Sequence, residues 1–95
     1  MKKIENYIDA ARNFNSDSES NSNLKVTKKP KTDEDKDRGF AEYAFNDGVI
    51  VRHSWNCNTY FGHKDYDHRI EVIGNAGHEF EKKVLSYNMQ NSKEL

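Results

Sequence analysis

The feature that most constrains this chain is where it has nothing to bury. From Phe14 to Ser22 it reads Phe-Asn-Ser-Asp-Ser-Glu-Ser-Asn-Ser, and from Lys28 to Arg38 Lys-Lys-Pro-Lys-Thr-Asp-Glu-Asp-Lys-Asp-Arg. Beyond Phe14, neither stretch holds a side chain able to offset the conformational entropy of ordering it. Residues 15–38 therefore read as a mobile linker, relieved only by Leu24-Lys25-Val26, whose brief alternation allows a short edge strand. Seven of the eleven aromatic residues lie between Phe40 and Tyr66, which puts the core in residues 39–95. A core of that size sits near the lower limit for independent folding, so the segment before the linker has to dock on it. With 95 residues in all, residues 1–95 make one small domain.

Ile4, Tyr7, Ile8, Ala11 and Phe14 recur at helical spacing and predict an amphipathic helix over residues 1–14, well formed from about residue 2. A second helix is expected after Gly74-Asn75-Ala76-Gly77, with Phe80, Val84, Leu85 and Tyr87 as its apolar stripe and Glu79 and Glu81 near its positive end. Between them lies a meander. Phe40–Phe45 and Val49–Trp55 flank Asn46-Asp47-Gly48, a hairpin signal. A two-residue Asp-Gly turn mixes polar and apolar side chains on both faces. A three-residue turn with Gly48 left-handed in a bulge sorts them: Ala41, Tyr43, Phe45, Val49, Val51, His53 and Trp55 share one face, and Glu42 stands opposite Arg52 on the other. Thr59–His63 and His68–Ile73 read as two more strands, joined by a charged turn at Lys64-Asp65-Tyr66-Asp67. The expected class is α+β: an antiparallel sheet of about four strands in meander order, flanked by an N-terminal and a C-terminal helix.

Fifteen basic residues stand against 16 acidic, a formal charge of −1, which argues against a strongly basic nucleic-acid binder and a supercharged acidic mimic alike. A single cysteine forms no internal disulfide, so a stapled secreted mini-protein is not expected. No apolar run approaches the roughly 18 residues of a membrane span, and Met1-Lys2-Lys3 leads into a polar helix rather than a signal-peptide core. A reducing cytoplasm is the simplest setting.

His53, Cys57, His63 and His68, with Asp65 and Asp67 nearby, supply zinc-like donors, making a metal-binding domain the lesser alternative. They alternate across strands instead of pairing at knuckle spacing, so the expected reading is structural, with no metal and no cofactor. Cys57 lies in Asn56-Cys57-Asn58 without a helix N-terminus to activate it, Ser54 has no elbow motif, and the glycines form no phosphate loop. An enzyme is not expected. Lys25, Lys28, Lys29 and Lys31 form a basic patch, and the sheet is rich in aromatics, which supports a small nucleic-acid-binding accessory protein as the alternative function. Asp33, Glu34, Asp35 and Asp37 follow at once and cancel much of that field. Residues 39–95 carry a slight acidic excess, 8 against 6, and a small domain without catalytic motifs most simply works by occupying another macromolecule's surface.

The run Gly39-Phe40-Ala41-Glu42-Tyr43-Ala44-Phe45-Asn46-Asp47-Gly48-Val49-Ile50 resembles small phage anti-CRISPR proteins of the type I-F inhibitor kind. Their centre also reads Gly, aromatic, two residues, Tyr, one residue, Phe, one residue, Asp. The resemblance implies a non-enzymatic inhibitor in the cytoplasm of a host bacterium. Such an inhibitor occupies the nucleic-acid-binding surface of an effector protein or ribonucleoprotein complex of the Cas type, with acidic side chains standing in for phosphates. This chain departs from that pattern in being nearly neutral, with Arg52, Lys64 and Arg69 among its acids, which points to a local acidic patch. Glu42, Asp65, Tyr66, Asp67 and Glu71 are the expected partner-binding residues.

Overall fold

Among the described residues one helix, α1 (Ile4–Asn15), precedes five strands: β1 (Lys31–Glu34), β2 (Arg38–Ala44), β3 (Ile50–Tyr60), β4 (His63–Gly74) and β5 (Val84–Gln90). The computed structural model describes residues 1–17 and 23–95. The strands form a single antiparallel sheet in the order β1-β2-β3-β4-β5. The protein is thus α+β with an antiparallel meander, as its pattern predicts. Among the described residues no helix is long and apolar enough to cross a membrane.

Helix α1 forms where the 3.6-residue spacing places Ile4, Tyr7, Ile8 and Ala11 on one stripe, and all four are buried. It ends at Ser16, whose backbone N–H and hydroxyl both donate to the Arg12 carbonyl. The buried stripe packs on Tyr43, Phe45, Val49, Val51, Ile70 and Val72, all on one face of the sheet. Tyr7 meets Phe45 edge-to-face at 5.0 Å and donates its hydroxyl to Asp47 at 2.5 Å, tying the helix to the β2–β3 turn. Ile4 and Ile70 are both fully buried; truncating either to alanine removes packing worth about 2–5 kcal/mol.

The β2–β3 turn has the expected register. Phe45 N–H donates to the Val49 carbonyl, Gly48 N–H to the Phe45 carbonyl, and Gly48 has φ +89°. Tyr43 then pairs with Val51 and Glu42 with Arg52. The short pairing expected at Leu24–Val26 is present as a bridge from Val26 to Phe45.

Three expectations need correcting. The C-terminal helix is strand β5 instead. Phe80, Val84 and Tyr87 fit a helical stripe, but Leu85, Tyr87 and Met89 fit a strand equally well, and periodicity cannot arbitrate so short a run. Valine, serine, tyrosine and asparagine are weak helix formers, and β4 offers an edge of unpaired backbone groups with which Leu85 and Tyr87 pair at Ile70 and His68. Phe80 instead bridges to Lys2 near the N-terminus. Second, Lys64-Asp65-Tyr66-Asp67 is strand and not turn. The chain reverses at Phe61-Gly62, where φ is +44° and +83°, the pair of positive angles a two-residue hairpin requires. Its polar alternation simply continues into Arg69 and Glu71. Third, five strands are found among the described residues. Thr59–His63 is not a strand of its own, since it spans the end of β3, the Phe61-Gly62 reversal and the start of β4. Two are added by β5 and by Lys31–Glu34, which lies inside the stretch read as linker and pairs with Gly39–Glu42. Part of that expected linker, residues 18–22, lies outside the described residues.

Candidate interaction surface

With α1 packed on one side, the described residues leave the sheet one covered face and one open face. On the open face side chains stand in cross-strand rows set by the register: Glu42, Arg52, Glu71 and Val84 in one, Phe40, Ser54, Arg69 and Ser86 in the next, then Asn56, Asp67 and Asn88. Arg52 Nε donates to Glu42 at 2.8 Å, while its guanidinium lies over the Phe40 ring at 4.7 Å from the centroid. Arg69 pairs with Glu71 at 3.3 Å. Arg38, Phe40, Arg52, Ser54 and Arg69 help line a shallow groove of about 650 Å³ that Asp33 and Asp35 border.

Toward the β3–β4 turn the face becomes acidic. Asn58 donates to Asp65 at 3.2 Å and to Asp67 at 2.7 Å. Asn88, reaching from β5, donates to the same two carboxylates at 3.2 and 2.8 Å. Two amides from the flanking strands thus clamp two carboxylates of β4 side by side. The Asn88 and Asn58 donors hold the Asp67 carboxyl below the usual carboxylate value, so Asp67 stays charged with a second carboxylate beside it.

Four of the five expected partner-binding residues, Glu42, Asp65, Asp67 and Glu71, therefore share the open face. Tyr66 does not. It pairs with Cys57 on the covered face and meets Trp55 edge-on at 6.0 Å. Glu42 and Glu71 are each engaged by an arginine, whereas the partners of Asp65 and Asp67 among the described residues are neutral amides. The two clamping asparagines were not singled out from the sequence, although a signal exists. The alternate positions Arg52-Ser54-Asn56-Asn58, Asp65-Asp67-Arg69-Glu71 and Ser86-Asn88-Gln90 are polar at period two, marking one solvent face on three strands.

The candidate metal donors are dispersed. His53 and His68 are both buried on the covered face, His63 is exposed at the hairpin tip, and Asp65 and Asp67 point to the opposite face from Cys57. Among the described residues no three such side chains come close enough to hold an ion. The two buried histidines bond each other instead, His53 Nε2 to His68 Nδ1 at 2.7 Å. His68 Nε2 is 2.9 Å from the Ser92 carbonyl, which can only accept, so His68 carries its proton on Nε2 and takes a bond from His53 at Nδ1. The two imidazole planes are nearly parallel, their centroids 5.0 Å apart across that bond, and His68 stacks in turn on Tyr87 at 4.7 Å. Burial first, then the facing His68 and Arg12 charges, push His53 down to about 4; burial also lowers His68. The pair is a neutral hydrogen-bonded wedge under the C-terminal segment.

That segment closes the covered face beyond the helix. Lys93 lies over Trp55 at 5.4 Å and pairs with Glu34, while Arg12 donates to the Leu95 carbonyl at 3.2 Å. Lys25, Lys28, Lys29 and Lys31 are all exposed along the β2 edge, where Lys31 stands opposite Glu42. Comparison with protein-family models, curated proteins and solved structures finds no match to this chain.

Proposed function

We propose that the protein is a non-enzymatic binding protein that uses its open sheet face to occupy a nucleic-acid-binding surface of a bacterial effector, in the manner of a phage anti-CRISPR inhibitor. The observation that carries this reading is the clamped pair Asp65 and Asp67. Two carboxylates held in place by Asn58 and Asn88 present fixed negative charge with little ordering left to lose on binding, which favours electrostatic complementarity to a phosphate-binding channel. Glu42 and Glu71 contribute less charge, because Arg52 and Arg69 neutralise them, but they complete a polar surface able to hydrogen-bond a partner. The reading therefore narrows the site to one end of the face and needs no wholesale charge mimicry. Tyr66 belongs to the support beneath it.

The test is competition. A purified type I-F Cas effector complex is incubated with labelled target DNA and increasing amounts of the protein. Asp65→Asn with Asp67→Asn keeps the shape and removes the charge. The expected result is displacement of DNA by wild type and a loss of about tenfold or more in the double variant, corresponding to ~1.4 kcal/mol or more. The alternative function uses Lys25, Lys28, Lys29 and Lys31 on free nucleic acid. Micromolar binding to free DNA or RNA, falling steeply with salt and flattened by changing those lysines to alanine, overturns the inhibitor reading.

A further inference from the structure

The two edges of the sheet are built differently. β1 is four residues long and exposed throughout, and three of its residues are charged, with Asp35 following. Short, charged edges resist pairing with another chain. β5, the outer strand on the other side, runs Val84-Leu85-Ser86-Tyr87-Asn88-Met89-Gln90 without a charge, a proline or a glycine. Val84 and Met89 are among the exposed large apolar side chains of the molecule.

Hydrogen bonds at the two ends of the β4–β5 ladder identify which backbone groups of β5 face outward. Val72 N–H donates to the Lys83 carbonyl at 2.8 Å, and Asn91 N–H donates to the Lys64 carbonyl at 3.0 Å. Both bonds join residues directly opposite each other in the register that pairs Ile70 with Leu85 and His68 with Tyr87. Hydrogen-bonded and non-bonded pairs alternate along an antiparallel ladder. Leu85, Tyr87 and Met89 therefore direct their N–H and C=O groups toward β4, and Val84, Ser86, Asn88 and Gln90 direct theirs away from the sheet. Among the described residues, no other backbone group bonds to these outward ones.

We propose that β5 pairs antiparallel with β5 of a second copy of this chain, about a two-fold axis through Tyr87, to give one continuous sheet of twice the width. The strand is self-complementary in this register. Val84 falls opposite the second copy's Gln90 and Ser86 opposite its Asn88, so every outward residue enters a hydrogen-bonded pair. On the helix side Leu85 faces Met89 and Tyr87 faces its twin, giving an apolar and aromatic ladder across the axis. No charge opposes a like charge within the paired strands. Each clamp residue Asn88 then lies beside the axis, so the two Asp65–Asp67 patches share one extended face.

Sedimentation equilibrium of the full chain from about 1 to about 500 µM tests the proposal. The expected result is a shift from the chain mass to twice that mass as concentration rises. Ser86→Pro removes an outward N–H that the monomer's ladder does not use, and it should raise the dissociation constant at least tenfold. Val84→Lys with Gln90→Lys sets lysines opposite each other twice across the axis and should give a monomer. Val84→Lys with Gln90→Glu sets opposite charges in the same places and should restore the dimer. Far-UV circular dichroism and thermal unfolding establish that each variant is folded. A wild type that stays monomeric throughout, or a dimer indifferent to Ser86→Pro and to the lysine pair, overturns the proposal. Failure of the lysine–glutamate pair to restore association overturns the register.

Discussion

Acid should loosen this fold through its two buried histidines, well above the range where carboxylates titrate. His53 is 4% exposed, donates to His68, and titrates in the fold at about 4 against 6.5 for the free imidazole. Above 6.5 both folded and unfolded chains hold it neutral, so stability is full. Between 6.5 and about 4 the unfolded chain takes up a proton that the folded chain refuses, and stability falls as pH falls, by up to about 1.4 kcal/mol for each pH unit. The loss is about 2 kcal/mol by pH 5 and about 3 kcal/mol once both states are protonated. His68, lowered by burial as well, adds in the same direction. A domain of this size has on the order of 5–15 kcal/mol in total, so the effect is large. Urea unfolding at steps from pH 7.5 to pH 4.5 measures it in wild type and in His53→Gln, whose amide still donates to His68 Nδ1 but does not titrate. Wild type should lose ~2 kcal/mol more than the variant between pH 7 and pH 5. Equal losses in the two proteins, or a His53 imidazole that titrates near 6.5 by NMR, would refute the argument.

Gly39→Ala should cost about 1–3 kcal/mol of unfolding free energy in urea, because a methyl there lands 2.6 Å from Trp55 Cζ2 and 3.0 Å from the Asp33 carbonyl oxygen. An unchanged midpoint would mean that Trp55 moves freely. Phe61→Asn should raise stability by about 1 kcal/mol, because Phe61 holds φ +44° while fully exposed and asparagine tolerates that conformation better; a melting curve checks the sign. Tyr87 Oη is buried with no hydrogen-bond partner among the described residues. Tyr87→Phe should therefore leave the melting temperature unchanged or raise it, the gain being at most ~1 kcal/mol, and a clear drop would reveal a partner for the hydroxyl.

The amino-acid pattern alone determined the parts of this protein whose physics is local. The helical spacing has one solution, because Ile4, Tyr7, Ile8 and Ala11 fall on one buried stripe, although Phe14, read on the same stripe, is left exposed beyond the end of the core. The Asn46-Asp47-Gly48 turn is equally legible, since only a three-residue bulged turn keeps Tyr43, Val51 and His53 on one face and sets Glu42 against Arg52. From that register the open face, and with it Glu42, could be placed before any coordinates. The segment from Val84 to Gln90 could not, because its apolar residues satisfy both periods and only the unpaired edge of β4 decides between them. Lys31–Glu34 buries nothing, so its order comes from backbone bonds to β2 and from the Lys93–Glu34 pair, neither of which a local side-chain pattern announces. Asp65 and Asp67 were visible as acids, but their clamp joins Asn58 to Asn88 across three strands. It exists only because β5 is a strand. The neutral pairing of His53 with His68 has the same origin: fifteen residues separate them, and the β3–β4 register alone brings their rings together in a place too dry to hold a charge.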